Sequence, residues 1–248
     1  MIDLHSHVLP GLDDGAADLD ESLAICEEAA ADGITVMAAT PHVRYDHPTT
    51  ASTMESALAE VRRVAEGIIE VFPGGELDLA ELDRPLDELR RFGLGGNPGV
   101  LLVETPFSGW PLDLGDRLFR LRAAGFATVL AHPERNAEVQ RRPELLEPLV
   151  AAGVLVQLTA SSVDGRYGGR SHASCFELIE RGLAHLIASD VHGELRAGGM
   201  SAAAEAVGDE ELAHWLTDDV PRSIVERTTT PPRPEQVRPR RRRWFFLR

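Results

Sequence analysis

A short apolar run, a polar tip and an amphipathic helix recur along this chain, and that repeat limits its fold more than any other feature. The apolar runs lie at residues 2–4, 35–39, 68–72, 100–103, 127–131, 154–158 and 183–188. Near-continuous runs of this kind, spaced by helix-period segments, predict parallel strands buried on both faces. The helical segments fall at 19–31, 54–66, 114–124, 145–152 and 175–181. Several run into a glycine suited to a helix C-cap: Gly33, Gly125, Gly153 and Gly182. Seven strands alternating with helices predict an α/β fold of the (βα)7-barrel type, with an open doubly wound sheet as the alternative. A length of 248 residues suits one such barrel. Shortly after Val225 comes Thr228-Thr229-Thr230-Pro231-Pro232-Arg233-Pro234, a low-complexity stretch with no packing pattern. Residues 1–226 are therefore read as one domain and 227–248 as a disordered, Pro/Arg-rich basic tail.

Composition removes several classes of function. No stretch reaches the roughly 18 apolar residues that span a bilayer. The start, Met1-Ile2-Asp3-Leu4-His5, has neither the basic nor the apolar region of a signal peptide. Two cysteines, Cys26 and Cys175, cannot build a disulfide framework. A cytoplasmic location is expected. From Arg227 onward eight arginines face one acid, Glu235, a balance of +7; the total of −15 then leaves −22 on residues 1–226. A body so acidic repels nucleic acid, so no nucleic-acid partner is expected. The chain contains no lysine, which excludes Schiff-base chemistry, a Walker P-loop and the lysine-bridged binuclear amidohydrolase centre.

The strand tips carry the chemistry. The first strand ends Asp3-Leu4-His5-Ser6-His7, where alternation points both histidines to one side. Nearby lies Leu12-Asp13-Asp14-Gly15. Later tips read Thr40-Pro41-His42, Gly74-Gly75-Glu76, Val103-Glu104, Ala131-His132-Pro133-Glu134-Arg135 and Ser189-Asp190-Val191-His192. A lone His-x-His is as often structural as functional, and a single Glu76 or Glu104 would ordinarily be a solvated strand end. Here ionisable residues end six of the seven strands, always at the C-terminal end, and a parallel barrel gathers those ends on one face. Imidazole and carboxylate without thiolate suit Zn²⁺, Mn²⁺, Fe or Mg²⁺. Nine candidate ligands exceed one ion's needs, so a cluster of two or three is the natural reading. His47, His172, His185 and His214 lack such placement and are read as ordinary side chains.

Taken together, these motifs resemble the polymerase-and-histidinol-phosphatase (PHP) superfamily. More closely, the chain is similar to the bacterial PHP-type tyrosine-protein phosphatases of capsule and exopolysaccharide synthesis. The resemblance covers residues 1–226. It implies a distorted (βα)7 barrel, TIM-like, with a centre of two or three divalent ions. Manganese is usual, and Fe, Zn, Co or Mg are alternatives. The substrate it implies is phosphotyrosine on a membrane-bound bacterial tyrosine kinase. Carried over by position, His5, His7, Asp14, His42, Glu76, Glu104, His132, Asp190 and His192 would be metal ligands. Arg135 would contact the phosphate, and Asp14 is a candidate for proton transfer.

Other readings are weaker. Cys175 and Arg181 have the Cys-x5-Arg spacing of thiol phosphatases, but the five residues between them are helical in pattern, lack glycine and include Glu177 and Glu180. A histidinol-phosphatase-like enzyme, a TatD-like nuclease and an inactive binding module are the remaining alternatives. Over the barrel mouth, Arg44 and Arg135 are expected to supply positive potential, and Tyr45, Phe107 and Trp110 are candidates for packing on a tyrosyl ring. The tail, from Arg238-Pro239-Arg240 to Trp244-Phe245-Phe246-Leu247-Arg248, joins a polybasic run to aromatics. That pairing suits peripheral contact with an anionic membrane. Docking onto the acidic body is the alternative.

Overall fold

A computed structural model describes residues 1–193 and 199–235. In chain order the strands are β1 (Ile2–Ser6), β2 (Val36–Ala39), β3 (His42–Arg44), β4 (His47–Pro48) and β5 (Glu70–Pro73). They continue with β6 (Glu76–Leu77), β7 (Val100–Glu104), β8 (Ala127–Ala131), β9 (Leu155–Thr159) and β10 (Leu186–Ala188). Helices α1 (Leu19–Ala31), α2 (Ala51–Val64), α3 (Leu86–Arg91), α4 (Leu114–Ala123) and α5 (Glu147–Ala151) intervene. They are followed by α6 (Ala160–Val163), α7 (Gly169–Glu180), α8 (Met200–Val207), α9 (Glu210–His214) and α10 (Val220–Val225).

Among the described residues nine of the ten strand segments make seven staves, and β4 is a short antiparallel partner of β3. The second stave is β2 continued by β3 across Thr40-Pro41, and the third is β5 continued by β6 across Gly74-Gly75. Pairing is parallel through β1–β2–β5 on one side of those breaks, and through β3–β6–β7–β8–β9–β10 on the other. The ladder bridges the breaks, with Thr40 N donating to Ser6 O at 2.8 Å and Glu76 N to Pro41 O at 3.0 Å. The barrel closes where the last stave meets the first. Ser6 and Val191 form a parallel bridge, and Asp190 N donates to His5 O at 2.8 Å. The chain is thus one α/β domain built as a distorted (βα)7 barrel, not an open sheet.

The distortion has a local cause. Below the breaks β5 pairs only with β2, and the 3-10 turn Leu94–Gly96 packs beside it instead of a neighbouring strand. Gly95 at φ 62° brings this turn against Leu4 and Val225, a backbone conformation that glycine adopts without strain.

Helix starts follow side-chain chemistry. Asp18 caps α1 by accepting from the N–H groups of Asp20 and Glu21, and Thr50 and Thr53 form a reciprocal capping box on α2. The stretch after α10 lies on the body as far as it is described. Trp215 Nε1 donates to Pro231 O at 3.1 Å, and the Arg233 guanidinium donates to Ile179 O and Ala184 O at 2.7 and 3.2 Å. Residues 236–248, with the polybasic and aromatic part of the predicted tail, lie outside the described residues.

One buried carboxylate ties the closure together. Asp3, on β1, accepts from Ser189 N at 2.9 Å, from Ser189 Oγ and from His5 N at 3.2 Å, and is fully buried. Burial pushes its pKa up against those hydrogen bonds. Asp3→Ala would leave the Ser189 N–H and hydroxyl without partners inside the barrel. The expected cost is about 3 kcal/mol of unfolding free energy. Chemical denaturation of the two proteins side by side measures it, and an unchanged midpoint would remove Asp3 from the closure.

Candidate metal centre

The C-terminal ends of the staves converge on one cluster. His5 and His7 come from the tip of β1 and Asp14 from the loop after it. His42 opens β3, Glu76 opens β6 and Glu104 ends β7. His132 follows β8, and Asp190 and His192 follow β10. Four overlapping groups of donor atoms, each within 4.8 Å of one another, include all nine. They are His7, Asp14, His42 and His192; His5, His7 and Asp190; His5, Glu76 and His132; and His42, Glu76 and Glu104.

Glu76 sits at the centre. Its Oε1 is 2.8 Å from His132 Nε2, while its Oε2 is 2.9 Å from His42 Nδ1 and 3.3 Å from His5 Nε2. Although 2.9 Å apart, His42 Nδ1 and Glu76 Oε2 lack hydrogen-bond geometry; both atoms are buried without a hydrogen-bond partner. Likewise, His5 Nε2 faces His7 Nε2 at 3.2 Å. Lone pairs of both residue types aimed at a common space are the arrangement a shared cation needs. The donor set therefore fits divalent metal.

The surroundings aim the ligands. His5 Nδ1 lies 3.1 Å from Gln157 Oε1, and His7 Nδ1 lies 2.7 Å from Asp13 Oδ2. An oxygen acceptor fixes the proton on Nδ1 and turns each Nε2 lone pair inward, as outer partners of metal-binding histidines do. Asp13 also accepts from the backbone N–H of His42 at 2.8 Å and of Gly15 at 3.0 Å. Against burial, His7 and these N–H groups hold its carboxyl well below the usual range. His132 and Asp190 have positive φ, 37° and 55°, values uncommon for residues other than glycine. Such backbone strain concentrates at functional sites.

Without a cation, protons must balance the buried carboxylates. Burial alone would lower the pKa of His5, but Glu76 and Asp190 raise it to about 9. For His7, Asp13, Asp190 and Glu76 likewise outweigh burial and hold the pKa well above the ordinary value. Burial and the neighbouring His7 push His192 down to about 4, so this imidazole is neutral at neutral pH. Burial, then Glu76, pushes Glu104 up.

Arginines border the ring. Arg135, in the 3-10 turn Pro133–Arg135, donates from Nη1 to Asp190 Oδ2 at 2.8 Å. Arg44 does not offer free positive potential, because its Nη1 binds Glu104 Oε1 at 3.1 Å and its Nε pairs with Asp46 at 2.9 Å. Asp14 differs from the other eight in exposure, its side chain being 48% accessible. His47 lies closer than its sequence position suggests, its ring stacked 5.7 Å from that of His42. Of the aromatic candidates, Phe107 stacks on His132 at 5.6 Å, Tyr45 is almost fully exposed, and Trp110 packs on the core. Tyr167, not anticipated from sequence, lies against Arg135. Cys175 is buried inside α7, where burial and then Glu134 push its thiol far above the ordinary value, and Arg181 is occupied with Glu177 and Glu147. That pair forms no phosphate loop.

Known proteins share this architecture. The family model for capsular polysaccharide synthesis proteins CpsB/CapC matches residues 1–222. Tyrosine-protein phosphatase YwqE of Bacillus subtilis (strain 168) is 31% identical over 255 residues, covering 99% of this chain and all of the relative. Putative tyrosine-protein phosphatase CapC of Staphylococcus aureus is 28% identical over 200 residues, 77% of each chain. A crystal structure from work on YwqE of Bacillus subtilis and CpsB of Streptococcus pneumoniae, described as unique metal-dependent tyrosine phosphatases, superposes with a TM-score of 0.85. It is 31% identical and covers 95% of this chain and 100% of its own. The phosphotriesterase from Mycobacterium tuberculosis, at 16% identity and a TM-score of 0.54, shares the fold alone.

The protonated cluster makes the metal-free fold sensitive to pH. His5 is raised from 6.5 to about 9 in the folded chain. Its contribution is therefore fully present below about pH 6.5 and fades as pH rises through 9. Chelator-treated protein should lose melting temperature across that window, and protein saturated with a divalent ion should lose less. Equal slopes for the two forms would count against the cluster as a metal site.

Proposed function

The chain belongs to the CpsB/CapC family of capsular polysaccharide synthesis, and from that premise we propose that it is a metal-dependent protein-tyrosine phosphatase. The observation that carries this reading is the set of four overlapping donor groups with Arg135 hydrogen-bonded to one member, Asp190. His5, His7, Asp14, His42, Glu76, Glu104, His132, Asp190 and His192 would hold two or three divalent ions. Manganese is the first choice, with Fe, Zn, Co and Mg as alternatives. When bound, such ions supply Lewis-acid polarisation of phosphoryl oxygens and acidify water.

The chain's own groups supply the remaining steps. Arg135 presents a rigid fork of N–H donors, of which Asp190 takes one, and the rest suit a phosphoryl group that gains negative charge during transfer. Asp13 and Gln157 keep the inward nitrogens of His7 and His5 free of their ring protons. Asp14, half-exposed where the other eight ligands are buried or nearly so, is the candidate for proton exchange with solvent. A tyrosyl leaving group, with a pKa of about 10, needs little protonation on departure. Residues 1–226 would form the catalytic unit, acting in the cytoplasm on a phosphotyrosine-bearing partner, a membrane-bound tyrosine kinase. Among the described residues no helix is long and apolar enough to cross a membrane. Membrane contact would come instead from Arg238–Arg248, whose six arginines include the run Arg240-Arg241-Arg242-Arg243 next to Trp244-Phe245-Phe246.

Chelation should abolish hydrolysis of a phosphotyrosine peptide and Mn²⁺ should restore it, with Cys175→Ser at the wild-type rate. Activity indifferent to chelator yet lost in Cys175→Ser would overturn the mechanism. Arg135→Ala should keep its metal and lose about a hundredfold in turnover. A kcat/KM that favours histidinol phosphate over the peptide would overturn the substrate class and leave the centre standing. For the tail, truncation before Arg238 should end co-sedimentation with phosphatidylserine vesicles at low salt; binding that survives truncation would exclude the tail as the anchor.

A further inference from the structure

Two half-exposed aromatic rings bracket the phosphate-contacting candidate. The Arg135 guanidinium carbon lies 4.5 Å from the Phe107 ring centroid and 4.9 Å from that of Tyr167. The three residues come from the loops after β7, β8 and β9, which are neighbouring staves. Both rings are held from below. Ala137 N donates to Phe107 O at 3.0 Å, and Asn136 Nδ2 reaches Pro106 O and Gly109 O, which locks the Phe107 loop to the turn that carries Arg135. Tyr167 N donates to Ser161 O at 2.8 Å, next to the positive-φ Gly168. Phe107 is 50% exposed and Tyr167 36%, so core packing does not account for either. Phe107 also stacks on the His132 ring, at 5.6 Å, so one aromatic surface touches both the arginine and the ligand ring.

We infer that Phe107 and Tyr167 form an aromatic clamp that positions Arg135 and selects aryl over alkyl phosphates at this centre. The inference rests on the phosphatase reading above and deepens it. A guanidinium held 4.5 and 4.9 Å from two ring centroids is restrained by cation–π attraction while it keeps its N–H donors. A phosphate received on those donors brings its ester group to the same rings. A flat aryl group stacks there, whereas an alkyl chain gains far less.

The test uses metal-loaded protein and two inhibitors that share a phosphonate head, phenylphosphonate and methylphosphonate, with affinities measured by calorimetry. Phe107→Leu and Tyr167→Leu should each reduce the preference for the phenyl compound several-fold, and the double variant about tenfold or more. Tyr167→Phe, which keeps the ring, should restore it. Metal content and melting temperature should match wild type in every variant. An unchanged preference in the double variant would overturn the clamp. Wild-type protein that binds both phosphonates with the clamp preference yet hydrolyses no phosphotyrosine would instead sink the proposed function.

Discussion

The seam between the first and last staves is the constraint on which this molecule depends. Its sequence partners stand more than 180 residues apart, and three features hold them together: the Asp3–Ser189 pair, the Ser6–Val191 bridge and the Asp190 N–H on His5 O. The candidate centre straddles that seam, with His5 and His7 on one side and Asp190 and His192 on the other. Opening the seam would separate His5 Nε2 from Asp190 Oδ1, now 3.5 Å apart, and break the second donor group. Closure and site assembly are therefore one event, and a buried carboxylate at the foot of β1 serves both.

Charge balance sets the next condition. Glu76, Glu104 and Asp190 are all buried in overlapping donor groups, and uncompensated carboxylates in such a place are costly. The structure answers with imidazoles on the inside and arginines at the rim, where Arg44 holds Glu104 and Arg135 holds Asp190. The backbone also bends for the site. His132, directly after β8, and Asp190, two residues after β10, take left-handed conformations. Glycine, the residue that adopts this conformation without strain, would supply no donor there.

Much of this arrangement was legible in the sequence because strand tips in a parallel barrel share one face. Periodicity located the staves, and the ionisable residue at six of the seven tips then named the ligand, as at Glu104 after Val100-Leu101-Leu102-Val103 and at His132 after β8. Residue patterns could not show that two staves are broken. The segments after each break, β3 and β6, are three and two residues long, too short to display a period, yet each begins with a candidate ligand, His42 or Glu76. Asp13 stood in view beside Asp14, but its partners, the His7 ring and the His42 N–H, are fixed by a loop path and not by spacing. Tyr167 was invisible for the same reason, being brought to Arg135 by the turn between α6 and α7. Arg44 offers less free charge than its strand-tip position suggests, because Glu104 at the end of β7 claims its guanidinium.

The two ends of the barrel divide the work. The chemical end collects side chains that are strained, charged and held by hydrogen bonds to loops, features that lower stability for the sake of a defined cavity. The other end is closed by apolar packing and by the stretch after α10, where Arg233 satisfies the carbonyls of Ile179 and Ala184 beneath β10 and Trp215 holds the backbone of Pro231. Those carbonyls belong to the end of α7 and the approach to β10, so the docked stretch reinforces the stave that carries Asp190 from the side opposite the ligands.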